Sequence, residues 1–238
     1  MKKSQESYTS SIRSNIQIPL GNKEVLQKID QEVSLSDNLS FYARLNINLG
    51  IDYINQSFCE SLGVPAYELV GKNFLELLHP EMPLAIKDLI RKGLQKGKSM
   101  QVLEKYPSEQ GNYFWLMSTY TTRVDTSGNI TSIQWESQKA SRFIVAKLQG
   151  LYQLLRKIEI KTSGVAKSSV YFQGFLEERE MSYELFIASL IQQSEQYSYV
   201  EQFQAAINRQ TRQTTAKKYQ QRQESQRKQI LRSIRKGA

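Results

Sequence analysis

The chain has 238 residues, 39% of them hydrophobic, and a formal net charge of +9, which fits one ordinary domain with extensions or two small domains. A single cysteine, Cys59, excludes an internal disulfide framework, and a single histidine, His79, argues against a histidine-rich metal site and a Ser/His/Asp triad. No apolar run reaches the roughly 20 residues of a membrane-spanning helix, and the first residues do not form a secretory signal. We therefore expect a cytoplasmic protein without a membrane span.

The positive charge is concentrated at one end of the sequence. Residues 200–238 contain ten Lys or Arg and two Glu, a net charge of +8, so all other residues together carry about +1. This basic, Gln-rich segment has three alternative roles: binding nucleic-acid phosphates, lying on a membrane surface, or meeting an acidic partner as a solvated helix. We favour the acidic partner, because few aromatic or bulky apolar residues accompany the charges.

In chain order, the first predicted elements are a disordered segment, a helix and a strand pair. Residues 1–22 are polar and show no periodicity, whereas apolar residues recur at helical spacing over Glu24–Val33. From Phe41 to Ile54, apolar and polar residues alternate, which indicates a half-buried strand pair. We expect its turn at Asn48 and Gly50, because both residue types tolerate positive φ.

Short helices are predicted next. Asn55 is suited to be the N-cap of the first helix, and Gly63 and Pro65 end that helix and begin another. A further helical stretch is predicted over Asn73–Leu78, and helical spacing returns over Leu84–Gln95. The intervening prolines fix the chain in a rigid connection, since each disfavours helix in the residue before it.

Three strands are predicted to follow, over Ser99–Tyr106, Tyr113–Val124 and Ile130–Gln138. Turn-forming residues at 108–112 and 125–129 separate them. Two strands, a helical crossing segment and three more strands predict an α+β fold, with a five-stranded antiparallel sheet that carries short helices on one face.

Four short phrases carry a resemblance to a known family; they are residues 51–58, 67–72, 78–83 and 113–116. The first two resemble the second strand with its helix, and the Tyr-x-x-Glu-Glu-Leu-Ile-Gly stretch, of PAS sensor domains. The last two are similar to the aerotaxis-receptor branch, which has Arg-His-Pro-Asp-Met-Pro and His-Tyr-Trp-Val at these places. Segment 40–139 therefore resembles a PAS sensor domain, and the match continues into Leu151–Tyr152.

The resemblance implies a flavin, FAD, and no catalytic or metal-binding residues. The cofactor-binding residues expected from it are His79, Asn73, Glu81, Trp115 and Trp135. His79 either contacts the flavin, as its counterpart in the branch does, or forms a fixed turn with Pro80. The two Trp rings either stack on the isoalloxazine ring or belong to the core. The chain departs from the branch at Leu78 and Met100, where the branch has Arg and Trp.

The second half of the sequence reads as helical. Over Ser141–Ile160, a heptad-like apolar seam indicates a helix that either packs on its own sheet or pairs with a partner and passes a signal onward. Apolar stripes between 169 and 193, with a break near 179–182, predict a helical hairpin. Ser198 and Glu201 have capping-box spacing, which predicts the start of a last helix.

Together, these patterns predict how the chain is divided into segments. We divide the chain into a disordered N-terminus (1–22), a PAS sensor domain with an N-terminal helix (23–139), a signalling helix (140–160), a helical interaction region (161–207) and a basic tail (208–238). We expect a non-enzymatic, homodimeric signal transduction protein, because the second half holds no kinase, cyclase or phosphodiesterase motif. It would sense redox state, oxygen or a small ligand and act through protein contacts, as in aerotaxis or chemotaxis. The alternative is a non-sensing PAS scaffold that works through its basic helix.

Overall fold

A single five-stranded antiparallel sheet organises the first part of the molecule. The computed structural model describes residues 31–108, 111–202, 204, 205, 208 and 209. The sheet has the strand order β2-β1-β5-β4-β3, which makes β2 and β3 its edges. In chain order from β1 to β5, the strands are Ser40–Leu45, Ile51–Ile54, Met100–Pro107, Tyr113–Val124 and Ile130–Lys139. The predicted sheet is confirmed.

Helices connect the two strand groups and continue beyond the sheet. Between β2 and β3 lie α1 (Gln56–Leu62), α2 (Ala66–Leu69), a 3₁₀ turn (Phe74–Glu76) and α3 (Leu84–Gln95). After β5 come α4 at Arg142–Thr162 and α5 at Ala166–Glu177, and then α6, which begins at 183 and is described through 202. The Asn55 side chain accepts from Phe58 N and caps α1, as predicted. Within the described part of the chain, no helix is long and apolar enough to cross a bilayer.

The β1–β2 turn differs from the prediction, because another residue has the positive φ. Leu49 has φ 64°, whereas neither Asn48 nor Gly50 lies in the left-handed region. The Asn46 side chain organises the turn, because its Oδ1 accepts from Asn48 N at 2.9 Å and from Gly50 N at 3.0 Å. A Cβ on Gly50 would lie 2.6 Å from Asn46 Nδ2. Glycine is therefore needed here for space and not for its backbone angles.

The end of the predicted N-terminal helix is extended instead. Glu32 forms a parallel bridge with Tyr113, Val33 N donates to Tyr113 O at 2.7 Å, and Tyr113 N donates to Gln31 O at 3.0 Å. The backbone groups at the start of β4 are thus paired by this segment, which outweighs the helical spacing. Residues 1–30, and with them most of the predicted helix and the predicted disordered segment, lie outside the described residues.

The predicted helix start at Ser198 is wrong, because α6 passes through this position without interruption. The Ser198 hydroxyl accepts from Gln202 Nε2 at 3.3 Å and does not cap a helix. The break before α6 is confirmed, since residues 178–182 separate it from α5. Residues 210–238, which hold most of the basic tail, lie outside the described residues. The predicted domain boundaries stay predictions.

The sheet has helices on both faces. On β4, Phe114 faces the short helices, with its ring centroid 6.5 Å from that of Phe58 on α1. The next residue, Trp115, faces the opposite way, with its centroid 6.2 Å from that of Tyr152 on α4. We call these the inner and the outer face. The first four apolar residues of the predicted α4 seam are buried within this chain: Ile144, Leu148, Leu151 and Leu155. Of the two alternatives for this helix, packing on its own sheet is the one seen.

Candidate functional site

The two tryptophans predicted to hold one ligand lie on opposite faces of the sheet. Trp135 is fully buried on the inner face, with its ring centroid 4.7 Å from Phe58 and 4.9 Å from Phe74. Trp115 is on the outer face against Tyr152. The strand register explains this, because the β5 residue Trp135 pairs with Tyr120 on β4. One ligand therefore cannot contact both indole rings in this arrangement.

His79 fixes the loop that covers the edge strand β3. Its backbone N donates to Lys105 O at 2.8 Å, and its Nδ1 accepts from Glu81 N at 3.2 Å. The Glu81 carboxylate accepts from Lys105 Nζ at 2.6 Å, and Lys105 Nζ lies 3.6 Å from the centroid of the Tyr113 ring. His79 and Glu81 thus lie close together, and these contacts are those of a fixed turn on the sheet edge.

Asn73 lies apart from His79 and joins the 3₁₀ turn to the β1–β2 hairpin. Its Oδ1 accepts from Leu75 N at 3.0 Å, and its Nδ2 donates to Asn48 O at 3.3 Å. The residue also forms a backbone bridge with Gly50. These bonds account for the asparagine at this position by local structure alone.

The most unusual group of the interior is Glu104, which sequence reasoning missed. It lies on the inner face of β3 and has 0% exposure. Its Oε1 accepts from the Tyr120 hydroxyl at 2.5 Å, and its Oε2 accepts from the Tyr106 hydroxyl at 2.8 Å and from Trp135 Nε1 at 3.2 Å. We call Glu104 with Tyr106, Tyr120 and Trp135 the carboxyl cluster. The available signal was a charged residue at an inward position between Val102 and Tyr106 of an alternating strand.

Burial and hydrogen bonds act on the Glu104 carboxyl in opposite directions. Burial raises its pKa, because a charge in an apolar interior loses its hydration, while hydrogen bonds from Ser118, Tyr120, Tyr106 and Trp135 lower it. The net direction is upward. Burial and the neighbouring Glu104 also raise the pKa of the Tyr106 and Tyr120 hydroxyls. Both phenols therefore keep their protons and act as donors to the carboxyl group.

The backbone next to Glu104 is held from the outer face by α4. The Tyr152 hydroxyl donates to Leu103 O at 3.0 Å, and its ring packs against Trp115. Burial raises the pKa of Tyr152, with Glu104 as a second cause, so its hydroxyl stays a donor. Two consecutive residues of β3 are thus bound from opposite sides, Glu104 by the carboxyl cluster and Leu103 by α4.

A second buried carboxylate, Glu159 on α4, connects three helices. Its Oε1 accepts from Ala85 N in the first turn of α3 at 2.9 Å and from the Ser168 hydroxyl on α5 at 3.0 Å. Its Oε2 lies 3.4 Å from Arg156 Nη1. Pro83 at the N-cap of α3 has no side chain that can accept a hydrogen bond. Glu159 therefore caps α3 from a distant part of the chain, where a negative charge is favourable.

The match to a protein-family model agrees with this architecture. Residues 51–135 match the family model described as the PAS fold. This part of the chain has the PAS fold. A solved light-oxygen-voltage domain, from a study in which a flavin analogue sheds light on its mechanism, is similar to it at 22% identity and a TM-score of 0.43, over 47% of this chain and 84% of that chain. The light state of the blue-light photoreceptor Aureochrome1 LOV is similar at 23% identity and a TM-score of 0.43, over 46% and 88%.

The interior of this PAS domain is filled by its own side chains. Seven aromatic residues between the sheet and the short helices are at most 1% exposed: Phe41, Phe58, Phe74, Tyr106, Phe114, Tyr120 and Trp135. Their rings contact one another, as in the pair Tyr106 and Phe114 at 5.9 Å between centroids. An isoalloxazine ring at this place would have to displace several of them. The residues present do not fit a flavin in this conformation, and the predicted roles of the five cofactor residues stay predictions.

Proposed function

We propose that this protein is a signal transduction module in which the PAS interior controls the C-terminal helices through β3. The observation that carries the proposal is the pair of bonds on consecutive residues of β3. Inside the domain, Glu104 is bound by three side chains of the sheet, and outside it, Leu103 O is bound by Tyr152 of α4. A change at the first bond set acts on the backbone that the second one holds.

The position of β3 at the edge of the sheet favours this transmission. The strand pairs only with β4 among the strands of the sheet, so it can shift with less loss of backbone hydrogen bonding than a central strand. On its far side, the loop around His79 and Met82 contacts it at Lys105. A displacement at Tyr152 would reach Glu159, which lies further along the same helix and binds both α3 and α5. The output would then be a change in the packing of α4, α5 and α6.

The input that this interior fits is a change in hydrogen bonding at Glu104, made by a small polar ligand or by a proton. Redox or oxygen sensing, as in the aerotaxis branch, would require a flavin and therefore a different packing of the aromatic interior. An absorbance spectrum of the purified protein tests that version. An oxidised-flavin spectrum at full occupancy would support it, and a colourless protein would remove it.

The second candidate function is a non-sensing scaffold that works through protein contacts. The aromatic packing of the interior favours it, because buried rings that contact one another need no other explanation than stability. The two candidates differ in what they predict for Glu104. In a scaffold, a change at this residue affects only its surroundings in the sheet. In a signalling module, it also affects the helices after β5. Homodimerisation and a cytoplasmic location are part of both proposals.

Hydrogen exchange of the Glu104→Gln variant distinguishes them. The amide keeps the shape of the side chain, but its NH₂ group faces donors, so the carboxyl cluster must rearrange. The proposal predicts faster exchange in β3 and also in α4 and α5. Glu136→Gln on β5 is the matched control, since it makes the same chemical change at an exposed position of the same sheet. Faster exchange confined to the strands would favour the scaffold.

A further inference from the structure

A groove on the C-terminal helices is left open by the packing of this chain. It has a volume of about 370 Å³ and lies between α4, α5 and α6. Its apolar lining comes from all three helices and includes Leu151, Leu154, Tyr171, Phe175, Phe186 and Leu190. Leu154 is 39% exposed and Tyr171 is 43% exposed, so the described residues leave two large side chains of the lining uncovered. A groove of this size accommodates a few large side chains.

Gly150 lines this groove, and the described fold does not require a glycine at this position. It is an interior residue of α4, and its φ is outside the left-handed region. Apart from its chain neighbours and the backbone of its own helix, no described atom lies within 4 Å of the place where a Cβ would stand. Neither backbone angle nor space thus requires glycine, although glycine is unfavourable in the middle of a helix. The absence of a side chain does allow another backbone to come close to α4 along this groove.

Charge indicates the kind of occupant. Lys147 and Arg179 both line the groove. Arg179 packs over the Phe175 ring at 3.6 Å and lies 3.9 Å from Glu178, while Lys147 lies 5.4 Å from the Phe143 ring. The α4 sequence contains five Lys or Arg and one acid, and that acid is the buried Glu159. Lys147 on α4 and Arg179, just after α5, therefore place two cations beside the apolar surface of the groove.

Two occupants from this protein are disfavoured by the same charges. Residues 200–238 carry a net charge of +8, so the basic tail would meet Lys147 and Arg179 with like charge. A second copy packed face to face through this groove would place both cations of each copy in one interface. An acidic partner avoids both conflicts and is attracted by the tail as well.

We propose that this groove binds an amphipathic helix of an acidic partner protein. Apolar side chains at helical spacing would enter between Leu154, Tyr171 and Phe175, the backbone would pass over Gly150, and flanking carboxylates would meet Lys147 and Arg179. The inference rests on the proposed function, because it assigns a partner class to the helices that the PAS domain would control. A helix that binds all three elements would respond to changes in their packing.

The test uses the full chain and a fluorescent synthetic helical peptide with leucines at i, i+3, i+4 and i+7 and glutamates on both flanks. Fluorescence anisotropy is expected to show binding, and a peptide with lysines in place of the glutamates is expected to bind at least about tenfold more weakly. Gly150→Leu should weaken binding of the acidic peptide about tenfold or more, whereas Gly150→Ala should weaken it less. Combined Lys147→Glu and Arg179→Glu should reverse the preference between the two peptides.

Lys157→Glu is the charge control, because this residue is an exposed cation of α4 outside the groove. Circular dichroism melting of each variant checks that the fold persists. Equal binding of both peptides, no binding of either, or unchanged binding by a folded Gly150→Leu variant would overturn the proposal. So would analytical ultracentrifugation showing that Gly150→Leu dissociates a wild-type dimer, since the groove would then be a self-interface. The peptide tests the groove, and hydrogen exchange of Glu104→Gln tests the proposed signalling function. Either test can fail while the other succeeds, so the failure of one proposal can be told from the failure of the other.

Discussion

The PAS interior and the C-terminal helices each contain a fully buried glutamate, and the two are held in different ways. Glu104 accepts hydrogen bonds from side chains on three neighbouring strands. Glu159 accepts from the backbone of α3 and a hydroxyl of α5 and lies beside the Arg156 guanidinium. The first carboxyl group therefore stabilises the arrangement inside one layer, whereas the second fixes three helices relative to one another.

This difference indicates how a perturbation at either glutamate should spread. The hydrogen-bond partners of Glu104 are neutral donors, and burial raises its pKa. Glu159 instead lies beside the Arg156 guanidinium and accepts from the backbone at the N-terminus of α3. We expect the hydrogen bonding of Glu104 to be what can change. Glu159 would then be the fixed connection through which such a change affects the packing of the helices.

The largest effect is expected for Glu159→Ala. The substitution leaves Ala85 N and the Ser168 hydroxyl without their acceptor and Arg156 without its partner, so the free energy of unfolding should fall by about 3 kcal/mol. Urea unfolding followed by circular dichroism measures this. Glu177→Ala, at an exposed position of α5, should change stability by less than about 0.5 kcal/mol. A small effect at Glu159 would mean that it does not fix the three helices.

Glu104→Gln should have the next largest effect, a loss of about 2 kcal/mol. The amide nitrogen would face groups that donate, and at least one of Tyr106, Tyr120 and Trp135 would lose its acceptor. Urea unfolding beside Glu136→Gln separates this loss from a general effect of removing a carboxylate from the sheet. A variant as stable as the wild type would show that the carboxyl cluster is not needed for folding.

The stability difference between wild type and Glu104→Gln should depend on pH in a direction set by the raised pKa of Glu104. Since the folded state binds this proton more tightly than the unfolded state, stability from Glu104 is fully present below the unfolded pKa. It declines as pH rises through the folded pKa. The wild-type advantage should therefore grow on acidification. Unfolding series over pH check this, and an advantage that shrinks toward acid would mean that the pKa is lowered instead.

The smallest of these effects is expected for Tyr152→Phe, about 1 kcal/mol, because the hydroxyl loses its hydrogen bond to Leu103 O and its interaction with Tyr183 while the ring remains. Tyr171→Phe provides the matched control, since Tyr171 is 43% exposed. Urea unfolding measures both. If the two substitutions had equal effects, Tyr152 would contribute to the outer face by its ring alone.

The sheet and the main helices could be predicted because they depend on local patterns. The bounds of β4 and α3 agree with those expected from alternation and helical spacing. The cap at Asn55 also follows from residue type and position. Where competing contacts came from elsewhere, prediction failed. Tyr113 pairs residues 31–33 as extended chain, and nothing in their own spacing indicates it.

The site was less predictable because it depends on strand register and on distant contacts. Trp115 and Trp135 are on neighbouring strands, but only the register places them on opposite faces. The bond between Glu159 and Ala85 N joins residues far apart in sequence. Glu104 was the exception, since an acidic residue at an inward strand position was visible in the sequence. Its three donors could not have been named before the strands were paired.

A double-mutant cycle between Glu104 and Tyr152 tests the central claim most directly. Unfolding free energies are measured for wild type, Glu104→Gln, Tyr152→Phe and the double variant. If β3 couples the PAS interior to α4, the two effects should differ from additivity by more than about 0.5 kcal/mol. Effects that add within this limit would contradict the account, because the interior and the C-terminal helices would then be energetically independent.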